Sequence, residues 1–168
     1  MDDHLETAYL AGGCTWIMQA LLGQPEGVVS TRTGFMGGDK ADPNDRDCGS
    51  HAEVTQVVFD PARLSYRGLL EVYFQVHRPD LDADVVGSQY RSGIFCTTSE
   101  QRAVAEETIR DVDAAEHWPG RTVTKVSDAS KFWPDPVEAQ HYLARFPEGC
   151  TPPFPRRAAA AEGVPATG

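Results

Sequence analysis

Apolar and polar positions change period repeatedly along the chain, and each change predicts an element. "ETAYLAG" (6–12) alternates as a short strand and runs into Gly12-Gly13, a sharp turn that draws on glycine's backbone freedom. "TWIMQALLG" (15–23) switches to helical spacing, with Ile17, Ala20 and Leu21 on one face and Gly23 as a stop. "GVVSTRTGF" (27–35) and "HAEVTQVVFDP" (51–61) are β-branched and predict a second and a third strand. Between them, 36–50 is a Gly, Asp, Pro and Asn loop too long for a hairpin turn, a length that often marks function.

The second half continues the pattern. "SYRGLLEVYFQVH" (65–77) puts Leu69, Tyr73 and Val76 on one helical face behind an N-capping Ser65. An irregular loop (78–91) leads to the strand "SGIFCTT". The longest helix, 98–116, opens with Thr98 and Gln101 in capping-box spacing. A strand over 121–129 and a last helix over 136–146, with Pro136 at its first position, complete the series. The order β-α-β-β-α-β, then α-β-α, predicts an α+β fold. It is a two-layer α/β sandwich of the split β-α-β kind, a ferredoxin-like plait with irregular loops. Residues 1–155 form one domain in this reading, and 156–168 a disordered tail.

Composition narrows the function classes. With 168 residues the chain can build a core without staples. A formal net charge of −10 and no basic run argue against nucleic acid. No apolar run reaches membrane-spanning length and the N-terminus is acidic, so a cytoplasmic protein is expected. The four cysteines, Cys14, Cys48, Cys96 and Cys150, are widely spaced and include no C-x-x-C. In a reducing compartment that spacing suits buried or catalytic thiols better than a disulfide framework.

Two residues are out of keeping with a plain core. Cys14 follows Gly-Gly at a strand-to-helix turn, where free N–H groups and the helix dipole favour a thiolate nucleophile. Trp16 offers an aromatic wall beside it. Glu53 shares a strand face with Thr55, Val57 and Phe59, and a half-buried carboxyl there would hold its proton near neutrality as a general acid needs. His51 is on the same face and is a candidate substrate neighbour more than a base. Tyr90, at the end of the second loop, can donate a hydrogen bond into a pocket. Cys48 and His51 make a C-x-x-H with no second ligand pair, so no metal is expected.

On these residues the sequence resembles the peptide-methionine (S)-S-oxide reductase family over roughly residues 7–155. "GGCTW" is similar to the family's Gly-Cys-Phe-Trp-Gly, and "GVVSTRTGFMGGD" to Gly-Val-x-Ser-Thr-x-x-Gly-Tyr-x-Gly-Gly. "GSHAEVTQVVFDP" is similar to Gly-Thr-His-Ala-Glu with its strand, and "VGSQYRSGIF" to Gly-Thr-x-Tyr-Arg-Ser-Ala-Ile. The resemblance implies that Cys14 attacks a sulfoxide sulfur while protonated Glu53 gives a proton to the oxygen and Tyr90 hydrogen-bonds to it. It implies a Cys14 sulfenic acid, a resolving thiol and thioredoxin as electron donor, with no bound cofactor. Cys150 is the preferred resolving thiol and Cys48 its rival, while Cys96 is expected to be buried and inert.

The departures cluster at the implied pocket. Thr15 stands where the family has Phe, leaving Trp16 as the methyl wall, and Ile17 where it has Gly. Asp45 aligns with a tyrosine that points to the oxygen, and Asp84-Val85 with the Asn-Asp that holds the substrate's backbone. Thr15, Trp16, Asp45, Asp84 and His51 are therefore the candidate substrate contacts. Two other readings stand beside the reductase: a non-reductive reaction on a small metabolite in the same pocket, and a binding protein without activity.

Overall fold

The computed structural model describes residues 4–148. β1 (Glu6–Ala11) leads into α1 (Thr15–Leu22), then β2 (Val28–Met36) and β3 (Ala52–Phe59). α2 (Tyr66–Tyr73), α3 (Ala83–Val86) and a 3-10 turn (Ser88–Tyr90) precede β4 (Gly93–Cys96). α4 (Ser99–Ala114), β5 (Lys125–Asp128), β6 (Trp133–Pro134), a 3-10 turn (Val137–Ala139) and α5 (Tyr142–Arg145) follow. The sheet order is β5-β4-β1-β3-β2-β6, with only the β4–β5 pair parallel. Its four central strands, β4-β1-β3-β2, carry the expected split β-α-β plait, and β5 and β6 extend the two edges.

One face of the sheet is buried under helices. Ala8 and Leu10 of β1, Val57 and Phe59 of β3 and Ile94 of β4 meet Met18, Leu21 and Leu22 of α1, Leu69, Leu70 and Tyr73 of α2, and Ala105 of α4. The other face carries a smaller cluster of Ala11, Met36, Ala52, Val54 and Phe95, covered by Phe132 and Ala129. The Ser65 and Thr98 caps are present, accepting from the N–H of Gly68 at 2.9 Å and of Gln101 at 3.1 Å.

Four expectations need correction. Ala20 is exposed, because the buried stripe of α1 turns through Ile17, Met18, Leu21 and Leu22 and includes Gln19. The loop 78–91 is not wholly irregular: Asp82 accepts from the N–H of Asp84 and caps α3, and the 88–90 turn follows. The strand expected over 121–129 is confined to β5. The last helix is broken. Gln140 is extended and His141 lies in the left-handed region at φ 52°, so a 3-10 turn and a four-residue helix replace one continuous helix. The cause is tertiary, since the Gln140 carboxamide is drawn onto β2. Its Oε1 accepts the Thr33 N–H at 2.9 Å and its Nε2 donates to the Thr33 carbonyl at 3.0 Å.

The turn between β1 and α1 is built for glycine. Gly13 has φ +122°, and a Cβ at Gly12 would lie 2.8 Å from the His77 ring. His77 is buried, donating from Nδ1 to the Tyr73 carbonyl (2.6 Å) and meeting the Ser92 hydroxyl through Nε2 (2.8 Å). The Tyr73 hydroxyl donates to the Ala11 carbonyl at 2.7 Å. The chain entering Cys14 is thus fixed from below by a buried polar network.

Candidate active site

Cys14 is the N-cap residue of α1, its carbonyl accepting the Met18 N–H at 3.0 Å. Its half-buried side chain packs against the main core. The first turn of α1 contains no acidic side chain of its own. The carboxylate at that helix end comes from β3 instead. Thr15, only 3% exposed, donates its hydroxyl to Glu53 Oε1 at 3.1 Å, and its backbone N–H also points to the same carboxyl. Gln89, in the 3-10 turn, donates from Nε2 to Glu53 Oε2 at 3.1 Å. Glu53 therefore bridges the start of α1 and the turn before β4.

Burial pushes the Glu53 carboxyl above the usual range, the hydrogen bonds from Thr15 and Gln89 pull back, and nearby Asp135 pushes it up again. Asp135 follows β6, its N–H donating to the Thr33 carbonyl at 2.9 Å. It too is raised, by burial first and then by Asp45, against a hydrogen bond from Thr33. Register adds an aromatic side to the site. Phe35 is paired directly with both Glu53 and Trp133, so all three point to one face of the sheet.

The other candidates divide into those near this group and those turned away. Tyr90 adjoins Gln89 and is 36% exposed. Cys48 lies behind Gln89, its thiol 3.8 Å from Oε1 of that side chain. Asp45 is exposed in the 36–50 loop, close enough to Asp135 to act on it. Trp16 is covered on one face by Tyr142, with ring centroids 3.8 Å apart and planes 15° apart. His51 is committed elsewhere: Nδ1 accepts the Gly38 N–H at 2.9 Å and Nε2 donates to the Lys40 carbonyl at 2.8 Å. It holds its own loop and has no ring nitrogen left for a substrate or a metal. Asp84 is exposed on α3. Cys96 is buried on β4, and burial pushes its thiol up. Cys150 and the expected tail, 156–168, lie outside the described residues.

Sequence reasoning passed over Gln89, Asp135, Phe35 and Gln140. Gln89 was visible as a polar neighbour of Tyr90 in "GSQYR". Gln19, buried inside an apolar helix, signalled that something polar docks there: its Oε1 accepts the His141 N–H at 2.8 Å.

Comparison with known proteins agrees along nearly the whole chain. A family model described as peptide methionine sulfoxide reductase matches residues 6–159. A peptide methionine sulfoxide reductase MsrA from Nocardia farcinica is 50% identical over 152 residues, covering 89% of each chain. The MsrA of Mycobacterium ulcerans is 45% identical over 167 residues, covering 94% of this chain and 98% of its own. Among solved structures, methionine sulfoxide reductase A of Corynebacterium diphtheriae superposes with a TM-score of 0.76 at 27% identity, covering 98% of this chain and 84% of that one. Mxr1 from Saccharomyces cerevisiae in complex with Trx2 shares the fold, with a TM-score of 0.64 at 19% identity and 94% of each chain covered.

Proposed function

The chain belongs to the peptide methionine sulfoxide reductase family and is an oxidoreductase acting on sulfur; on that premise we propose that it reduces methionine sulfoxide through Cys14, with Glu53 as the proton donor. The observation that carries the residue assignment is the hydrogen bond from Thr15 to Glu53. Thr15 directly follows Cys14, so the thiol and the acid share one helix end. A second anion beside a thiolate is unfavourable, and burial and Asp135 both favour the neutral carboxyl there.

The Cys14 thiolate attacks the sulfoxide sulfur as Glu53 gives its proton to the oxygen and Tyr90 donates a hydrogen bond to it. The oxygen passes to Cys14, leaving methionine, a cysteine sulfenic acid and ionised Glu53. The substrate sulfur gains two electrons and the cysteine sulfur loses two. The Cys150 thiol then displaces water from the sulfenic acid to form a disulfide, which the dithiol of thioredoxin reduces. Tyr142, stacked on Trp16, holds α5 beside the start of α1. Trp16 and Trp133, the latter backed by the buried Phe35, offer aromatic surface to the substrate's methylthio group, and Asp45 lies at the rim. Among the described residues no helix is long and apolar enough to cross a membrane; a cytoplasmic setting, where thiols stay reduced, suits the chemistry.

The test is direct. Purified protein with dithiothreitol should convert methionine sulfoxide to methionine, and Cys14→Ser should lose that activity completely. Full activity in Cys14→Ser would remove the thiol from the mechanism.

A further inference from the structure

We propose that Thr15 and Gln89 form a two-point clamp that positions the Glu53 carboxyl for proton transfer, the Thr15 hydroxyl holding Oε1 and the Gln89 carboxamide holding Oε2. The proposal rests on the reading of Glu53 as the proton donor.

Each carboxyl oxygen receives one side-chain donor, both at 3.1 Å, and the donors come from different elements, the first turn of α1 and the turn before β4. A carboxyl group held at one oxygen can still swing about its last torsion; held at both, it cannot. The Thr15 backbone N–H adds a third donor to the same carboxyl, and the acidic proton is left to the directions that these donors do not take. Both donors are themselves restrained. Thr15 is β-branched and buried at the first helical position, so few rotamers are open to it. Gln89 turns Nε2 to the carboxyl and leaves Oε1 within 3.8 Å of the Cys48 thiol, which also lies 3.9 Å from the Gly49 carbonyl. A phenylalanine at position 15, the residue expected there from the resemblance, has no donor. This chain holds a hydroxyl in its place and aims it at the acid.

The same two donors favour the ionised carboxyl, while burial and Asp135, from the β6 end, oppose it. The other titratable groups around the clamp are Cys14 immediately before Thr15, Tyr90 immediately after Gln89, and Cys48 behind it. Removing a donor therefore has two separable consequences: the acid is less well aimed, and it keeps its proton to higher pH.

The experiment is steady-state reduction of methionine sulfoxide with dithiothreitol across a pH series, for wild type, Thr15→Val, Thr15→Ser, Gln89→Met and Glu53→Gln. Thr15→Val should lower kcat about 10-fold with little change in KM, and move the alkaline limb of the profile to higher pH. Thr15→Ser should recover most of the loss. Gln89→Met should repeat the behaviour of Thr15→Val at the other oxygen, and it decides the matter alone if Thr15→Val does not fold. Wild-type kcat and an unmoved limb in Thr15→Val or in Gln89→Met, beside a crippled Glu53→Gln, would overturn the clamp and spare Glu53. A raised KM with an unmoved limb would make Thr15 a substrate contact instead. Full activity in Glu53→Gln would remove the proton donor itself.

Discussion

Tyr142 lies flat on Trp16, with ring centroids 3.8 Å apart and planes 15° apart. The C-terminal segment thus props the side chain that faces the proposed methyl site. A stacked pair of this kind contributes about 0.5–1.5 kcal/mol beyond its burial. Tyr142→Ala should raise KM for methionine sulfoxide roughly 2- to 10-fold, the span of those energies, with a smaller change in kcat. Tyr142→Phe keeps the ring and should behave as wild type. Steady-state kinetics on the two variants separates stacking from any role of the hydroxyl.

Gln140 substitutes for a strand neighbour. Its carboxamide pairs with both the N–H and the carbonyl of Thr33, just past the point where β6 stops pairing with β2. Gln140→Ala takes the partner from the Thr33 N–H, while the Thr33 carbonyl keeps the Asp135 N–H, and should cost roughly 1–3 kcal/mol in denaturant unfolding. It also loosens α5, which precedes Cys150 in the sequence. The first methionine should form at the wild-type rate in stopped-flow mixing, while disulfide formation slows.

His77 supports the Cys14 turn from beneath, and burial drives its pKa down to about 4. The unfolded chain binds that proton near pH 6.5, so folding loses stability as pH falls from about 6.5 towards 4. The loss is on the order of 3 kcal/mol for a shift of this size. The His77 ring signal in NMR should therefore show no titration above about pH 5. Gly12→Ala pushes a methyl into that ring and should destabilise the protein by about 1–3 kcal/mol while lowering kcat, since the turn it displaces leads into Cys14.

Glu53 has the opposite sign. Its folded-state pKa is raised, so its favourable contribution is complete below the unfolded value and is lost as pH rises through the folded one. Glu53→Gln removes the ionisation and should raise Tm at about pH 8 but leave it nearly unchanged at about pH 4. Calorimetry at the two pH values checks this independently of activity.

The strands and the long helix were legible because their periodicity and caps are local. Thr98 and Gln101 announce α4 by themselves, and alternation through Val54, Thr55, Gln56 and Val57 announces β3. The plait followed from element order. What was hidden is tertiary. Pro136 and the apolar spacing after it predict one helix, but the bonds between Gln140 and Thr33 outweigh helix propensity and break it. At the site, Cys14 and Glu53 stood out through their settings, a glycine turn and a carboxyl on an apolar face. His51 looked equally chemical by strand parity, yet the fold spends both ring nitrogens on its own loop. Gln89 was inconspicuous because a glutamine beside a tyrosine carries no chemistry until a carboxyl from another strand meets it.

The most direct measurement is a single turnover without reductant. A protein carrying Cys48→Ala and Cys150→Ala is mixed with equimolar methionine sulfoxide and dimedone, and its peptides are mapped by mass spectrometry. Methionine should appear in stoichiometric amount, with the dimedone adduct of a sulfenic acid on Cys14. Methionine formed while Cys14 remains an unmodified thiol, or a folded protein that forms none, would contradict oxygen transfer to Cys14.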